Sequence, residues 1–147
     1  MDEFTQTEAD LLIAMPKHRI DEKVWEFPKP GSSISIPLVS KDKKENFLLD
    51  IHKGRIDLKK GKYQNRARKT TVLVRLDFGG SPHRNPDERE IPSPHLHLYR
   101  EGFGDKWAMP VPVNEFKNLD DLAVTLEDFM KYCQIVEPPN FQMSAFL

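Results

Sequence analysis

Twelve prolines are spread along a chain of 147 residues that holds only seven glycines. Proline lacks a backbone N–H and fixes φ, so neither a helix interior nor a central strand runs far through one. A helical bundle and a coiled coil are therefore excluded, and short strands joined by loops remain. The length suits one compact domain with one core, residues 1–147. Cys133 is the sole cysteine, which rules out an internal disulfide and a cysteine-built zinc cluster. No window approaches the roughly 18 apolar residues of a membrane span, and Met1-Asp2-Glu3 is not the basic start of a signal peptide. A cytoplasmic protein that does not engage membranes is expected.

The formal net charge of −1 conceals an asymmetry, because residues 41–75 sum to +8 and the rest of the chain to −9. A basic band on an otherwise acidic protein suits an approaching phosphate or an acidic partner; a solvated strand face is the alternative.

Thr5-Gln6-Thr7-Glu8 has capping-box spacing and predicts a helix with Phe4, Leu11, Leu12 and Met15 as its apolar stripe and Pro16 as its stop. From residue 118 the period is helical again, through Leu119, Leu122, Leu126, Phe129, Met130 and Cys133, with Asn118 as the expected N-cap. Strands are expected at 24–27, 33–36, 46–52, 55–58, 70–78, 94–99 and 106–111, with Lys53-Gly54 as a tight turn. The stretch 59–69 fits either a strand arm or a loop. In 70–78, Val72, Val74, Leu76 and Phe78 face one way and Thr71, Leu73, Arg75 and Asp77 the other. Residues 94–99 set Leu96 and Leu98 against His95, His97 and Tyr99. Residues 79–93 form an aperiodic excursion, and the apolar tail 140–147 is expected to dock. The sum is an α+β fold, a twisted and mostly antiparallel sheet packed by an N-terminal and a C-terminal helix.

If the two alternating strands are neighbours, Arg75, Asp77, His95, His97 and Tyr99 meet on one face, with His83 able to swing over them. Two chemistries compete for such a group. In one, His95 and His97 are an acid–base pair for phosphodiester transfer, Arg75 clamps the phosphoryl oxygens, Asp77 orients an imidazole, and Tyr99 and His83 assist. In the other, His95 and His97 ligate a divalent metal together with Asp77 or His83, which a fixed cation at Arg75 disfavours. The first is preferred, with no metal and no cofactor.

The ordered run Arg75-x-Asp77, Pro82-His83 and Pro94-His95-x-His97, then an aromatic, resembles the TumE-like toxins of bacterial toxin–antitoxin pairs. It is also similar to an uncharacterised prokaryotic family with the same motifs and a terminal Phe-Met-x-Tyr-Cys helix. The likeness covers roughly residues 47–135, although the toxin pattern usually carries a further histidine where this chain has Leu96. It implies a small α+β ribonuclease-like fold and a cognate antitoxin. The expected function is a metal-independent endoribonuclease or RNA-directed protein of a toxin–antitoxin or mobile-element system, whose Lys59, Lys60, Lys62, Arg66, Arg68 and Lys69 track the RNA backbone. The alternative is a non-catalytic module, such as a phage- or mobile-element-encoded inhibitor, whose basic band docks an acidic protein.

Overall fold

The structure is a computed structural model that describes residues 3–56 and 59–142. In chain order the elements are α1 (Gln6–Ala14), β1 (Lys17–Arg19), β2 (Val24–Trp25), β3 (Ser33–Ser40), β4 (Asn46–Lys53), β5 (Gly61–Ala67), β6 (Thr71–Phe78), β7 (His83–Arg84), β8 (Glu90–Ile91), β9 (His95–Leu98), β10 (Ala108–Pro110), α2 (Leu122–Tyr132), β11 (Ile135–Glu137) and β12 (Asn140–Phe141). The main sheet has eight strands in the order β10-β9-β6-β5-β4-β3-β1-β11, antiparallel except for the β1–β11 pair. The expected α+β class and mostly antiparallel sheet with a helix near each end are what is found.

Both helices contribute to the core on one side of the sheet. Thr5 closes the capping box with Glu8, and Phe4, Ala9 and Leu12 pack inward. Leu11, expected in that stripe, is 64% exposed. Helix α2 starts later than anticipated, because Asp121 and not Asn118 accepts from the free amides of Ala123 and Val124. Its Leu126, Phe129, Met130 and Cys133 join Leu49, Ile51, Leu76 and Phe78 from the sheet. Tyr63 lies at the centre, its ring 4.9 Å from Phe78 and 6.0 Å from Phe129, while its hydroxyl donates to Leu122 O at 3.1 Å.

Residues 55–58 form no strand among those described, Asp57 and Leu58 lying outside that set. Gly54 N–H instead donates to Lys60 O and β5 starts at Gly61, so the basic stretch is half a strand, with Tyr63, Asn65 and Ala67 inward between exposed or half-buried neighbours. In β6 the alternation breaks. Arg66 pairs with Val72 and Asn65 with Val74, leaving Leu73 as the extra residue of a bulge. The bulge sends Leu73, expected beside Arg75, fully into the core. Strand β2 is shorter than anticipated and pairs with β12, away from the main sheet, because Pro28 and Pro30 follow it. Of the tail 140–147, Asn140 and Phe141 pair with β2, and 143–147 lie outside the described residues.

At the β11 end of the sheet, Lys17 is completely buried. Its ammonium donates to Ile13 O and Met15 O at 3.0 Å each and to Cys133 O at 2.8 Å, and lies 4.8 Å from the centre of the Phe47 ring. One side chain thus satisfies carbonyls at the C-terminal ends of both helices.

The other face carries polar residues in two rows set by register. Ser33, His52, Lys62, Asp77 and His95 lie opposite one another across β3, β4, β5, β6 and β9. Ser35, Asp50, Gln64, Arg75 and His97 form the adjacent row. No helix of the described residues is long and apolar enough to cross a membrane.

Candidate functional site

The first polar row opens into a cavity of about 320 Å³. His52, Lys60, Lys62, Asp77, His83 and His95 line it, together with Gly79, Ser81 and Pro82. Lys60 lies close over two glycines in the left-handed region: a Cβ on Gly79 would come within 2.9 Å of Lys60 Cα, and one on Gly80 within 3.0 Å of Lys60 Cε. Any other residue would strain the backbone at either position, and at Gly79 it would also press on the Lys60 backbone. Among the described residues, neither Lys60 nor Lys62 has an ion-pair partner.

Below the cavity Asp77 is the hub. Arg75 donates to it from Nε at 3.0 Å and from Nη2 at 3.2 Å, and His95 Nε2 and His97 Nε2 each lie 3.3 Å from its Oδ2. Burial alone would raise the Asp77 carboxyl, but a hydrogen bond from His97 and the charge of Arg75 outweigh it and hold the group far below the usual carboxylate range. Arg75 also donates from Nη1 to Asp105 at 2.6 Å. The guanidinium is therefore engaged with two carboxylates and lines no part of the cavity, so a phosphate clamp at Arg75 is not what the geometry provides.

His97 is fully buried and equally committed. Its Nδ1 faces Asp105 O at 2.8 Å, and a carbonyl only accepts, so Nδ1 carries a proton. Its Nε2 lies between Arg75 Nη2 at 3.0 Å and Asp77 Oδ2 at 3.3 Å. His97 supports Asp77 from behind and is not a group that substrate reaches.

His95 is 3% exposed and borders the cavity. Burial pushes its imidazole below the ordinary value, with the Asp77 carboxylate opposing the shift. Its Nδ1 is buried without a hydrogen bond of good geometry, although the Pro92 backbone lies near. The His83 ring sits 4.6 Å from that of His97 and 5.7 Å from that of His95. Its Nε2 donates to Lys106 O at 2.7 Å, leaving Nδ1 as an acceptor. The segment around it is pinned by buried Asn85, whose amide donates to Ala108 O at 2.9 Å and accepts from Ala108 N at 2.8 Å.

Tyr99 is outside this group. Strand β9 ends at Leu98, and Tyr99 packs inward 6.1 Å from the Phe4 ring, donating its hydroxyl to Phe4 O at 2.7 Å. The basic residues also divide. Lys60 and Lys62 face the cavity; Arg66 is held by Asp50 and Arg68 by Glu45, and Lys59 and Lys69 do not line it. His52 and Asp105 were missed by sequence reasoning. The alternation of β4, with Phe47, Leu49 and Ile51 inward, was signal enough for His52; nothing local marks Asp105, which follows the turn at Gly102 to Gly104.

Ligand atoms of Asp77, His95 and His97 lie within 4.8 Å of one another, the spacing of a metal site. Arg75 Nη2 already faces both Asp77 and His97 Nε2, so a cation bound there would have to displace a guanidinium. The donor set fits a buried ion-pair network better than a metal.

The model of a family described only as a family of unknown function, DUF6978, matches residues 4–135. The chain belongs to that family. The DUF6978 match takes in α1, every strand of the polar rows and α2, so the cavity lies wholly inside it. No curated protein and no solved structure matches the chain.

Proposed function

We propose that the cavity binds single-stranded RNA and cleaves it by metal-independent phosphoryl transfer, with the 2′-hydroxyl as nucleophile. The observation that carries this reading is the joining, around one cavity, of two lysines without counter-ions among the described residues and two imidazoles, His83 and His95, backed by a carboxylate. Lys60 and Lys62 neutralise the non-bridging phosphate oxygens. His83 Nδ1 takes the 2′-hydroxyl proton as the 2′-oxygen attacks phosphorus, the P–O5′ bond breaks, and protonated His95 returns a proton to the departing 5′-oxygen. The products are a 2′,3′-cyclic phosphate and a 5′-hydroxyl. Burial disfavours the charged form of His95, whereas Asp77 and the incoming phosphate both favour it. His97 and Arg75 are positioning residues, since they reach the reaction only through Asp77. The motif likeness to TumE-like toxins supports the same chemistry and makes a cognate antitoxin the expected protein partner.

The test is cleavage of a mixed RNA pool in the presence of a chelator. Cutting should persist and follow a bell-shaped pH profile, and His83→Ala and His95→Asn should each lower the rate about 10²- to 10⁴-fold. Wild-type protein that neither cuts nor binds RNA better than an acidic control would overturn the reading and favour a module that docks an acidic protein.

A further inference from the structure

The cavity does not end at His52 and Lys62. These two residues also wall a second cavity of about 320 Å³, which spreads over the outer face of β3, β4 and β5 and is lined by Ser33, Ser35, Asp50, Gln64 and Arg66 as well. Asp50 organises it by accepting four hydrogen bonds. Ser35 Oγ at 2.6 Å and Arg66 Nη2 at 2.9 Å meet its Oδ1, while Gln64 Nε2 at 2.7 Å and Arg66 Nε at 2.6 Å meet its Oδ2.

This network fixes what each side chain has left to offer. Gln64 can approach a carboxylate only through its amide nitrogen, so Oε1 remains as an acceptor. Ser35 gives its one hydrogen to Asp50 and keeps its lone pairs. Arg66, held by two bonds to one carboxylate, is a planar cation in a fixed orientation of the kind on which bases stack. The charges differ between the cavities too. Arg66 is neutralised by Asp50, whereas Lys60 in the first cavity and Lys62 on the shared wall have no counter-ions among the described residues, so a phosphate suits the first cavity and the wall, and a neutral group rich in donors suits the far side of the second.

We propose that the second cavity receives a nucleobase bearing an exocyclic amino group, joined to the phosphate held by Lys60 and Lys62, so that the ligand is an unpaired strand spanning both cavities. The proposal deepens the RNA reading above and rests on it. The amino group of adenine or cytosine meets Gln64 Oε1 and Ser35 Oγ, where uracil or thymine would set a carbonyl against them. A base already paired in a duplex is stacked and has its Watson–Crick edge occupied, so it cannot enter the cavity.

Deoxytrinucleotides lack the 2′-hydroxyl and are not cut by the proposed route, so their affinity reports binding alone. The full chain is titrated with deoxyadenylate, deoxycytidylate and thymidylate trinucleotides, with inorganic phosphate, and with polyglutamate. The first two should bind about tenfold more tightly than the thymidylate form, the size of one good base contact. Gln64→Met, and independently Ser35→Ala, should each shrink that preference in protein whose circular dichroism is unchanged, while Lys62→Ala should weaken every trinucleotide. Equal affinity for all three trinucleotides, with both β3 and β5 variants silent, overturns the base subsite and leaves the phosphate cavity standing. Polyglutamate bound in place of any trinucleotide overturns both readings and assigns the face to an acidic polypeptide.

Discussion

Lys17, fully buried, and Asp77, half-buried, are ionisable groups near opposite ends of the same sheet, and the fold satisfies them by different means. Lys17 is surrounded by neutral acceptors, three backbone carbonyls and an aromatic face, with no carboxylate. Burial consequently wins, and the ammonium is lowered from 10.5 to about 8. Asp77 is surrounded by a full cation and two imidazoles, and there the partners win over burial. Carbonyl dipoles make Lys17 a clasp between helix ends. Opposite charges make Asp77 a relay to groups on a cavity wall.

The largest expected effect is on the clasp. Lys17→Ala removes the donor of three carbonyls and leaves a cavity, which should lower unfolding stability by about 3–5 kcal/mol in urea titrations. Asp77→Asn should cost less, about 2–3 kcal/mol, because Asp105 keeps its bond to Arg75 at 2.6 Å. The reverse ranking would break the comparison and make the polar rows the foundation of the fold.

The smallest effect sharpens the contrast through pH. Lys17 holds its proton less firmly folded than unfolded, so from about pH 8 to 10.5 the unfolded chain binds more protons at that side chain. Stability should rise with pH from about 8 to 9, by at most about 1.4 kcal/mol per unit, and level off above 9, where the buried Cys133 thiol, pushed up from 9.0 to about 12, opposes Lys17. Asp77 has the depressed value of a paired carboxylate, so its contribution is complete above the unfolded value of 3.8 and is lost as pH falls below it. His95, lowered from 6.5, adds loss on the same acid side, because the unfolded chain takes its proton first. Urea midpoints against pH check both arms: Lys17→Met should change only the alkaline one, whereas Asp77→Asn should flatten the part below 3.8 and deepen the loss that His95 adds above it.

What sequence made legible was whatever alternation or capping encodes locally. Thr5 and Glu8 announced α1, and the two-residue period of β6 and β9 brought Arg75, Asp77, His95 and His97 to one face. The burial that separates His95 from His97 depends on Asp105 and on the loop carrying His83, neither of which leaves a periodic trace. The bulge at Leu73 is likewise a matter of pairing with β5. Tyr99 continued the pattern of His95 and His97 on paper, but the strand ends one residue before it. In β5 the density of Lys and Arg concealed Tyr63 and Asn65, which alternate inward between Lys62, Gln64 and Arg66. Lys17 gave no hint of burial at all, since a lone lysine after a proline is ordinarily a surface residue.

Asn85, the anchor of the segment around His83, also governs how copies of this chain can meet. By taking both backbone groups of Ala108, with His83 on Lys106 O, it fills the hydrogen-bonding positions that an added strand would need beside β10. A side chain stands in for the next strand, so this rim of the sheet is closed to edge-to-edge growth into aggregates.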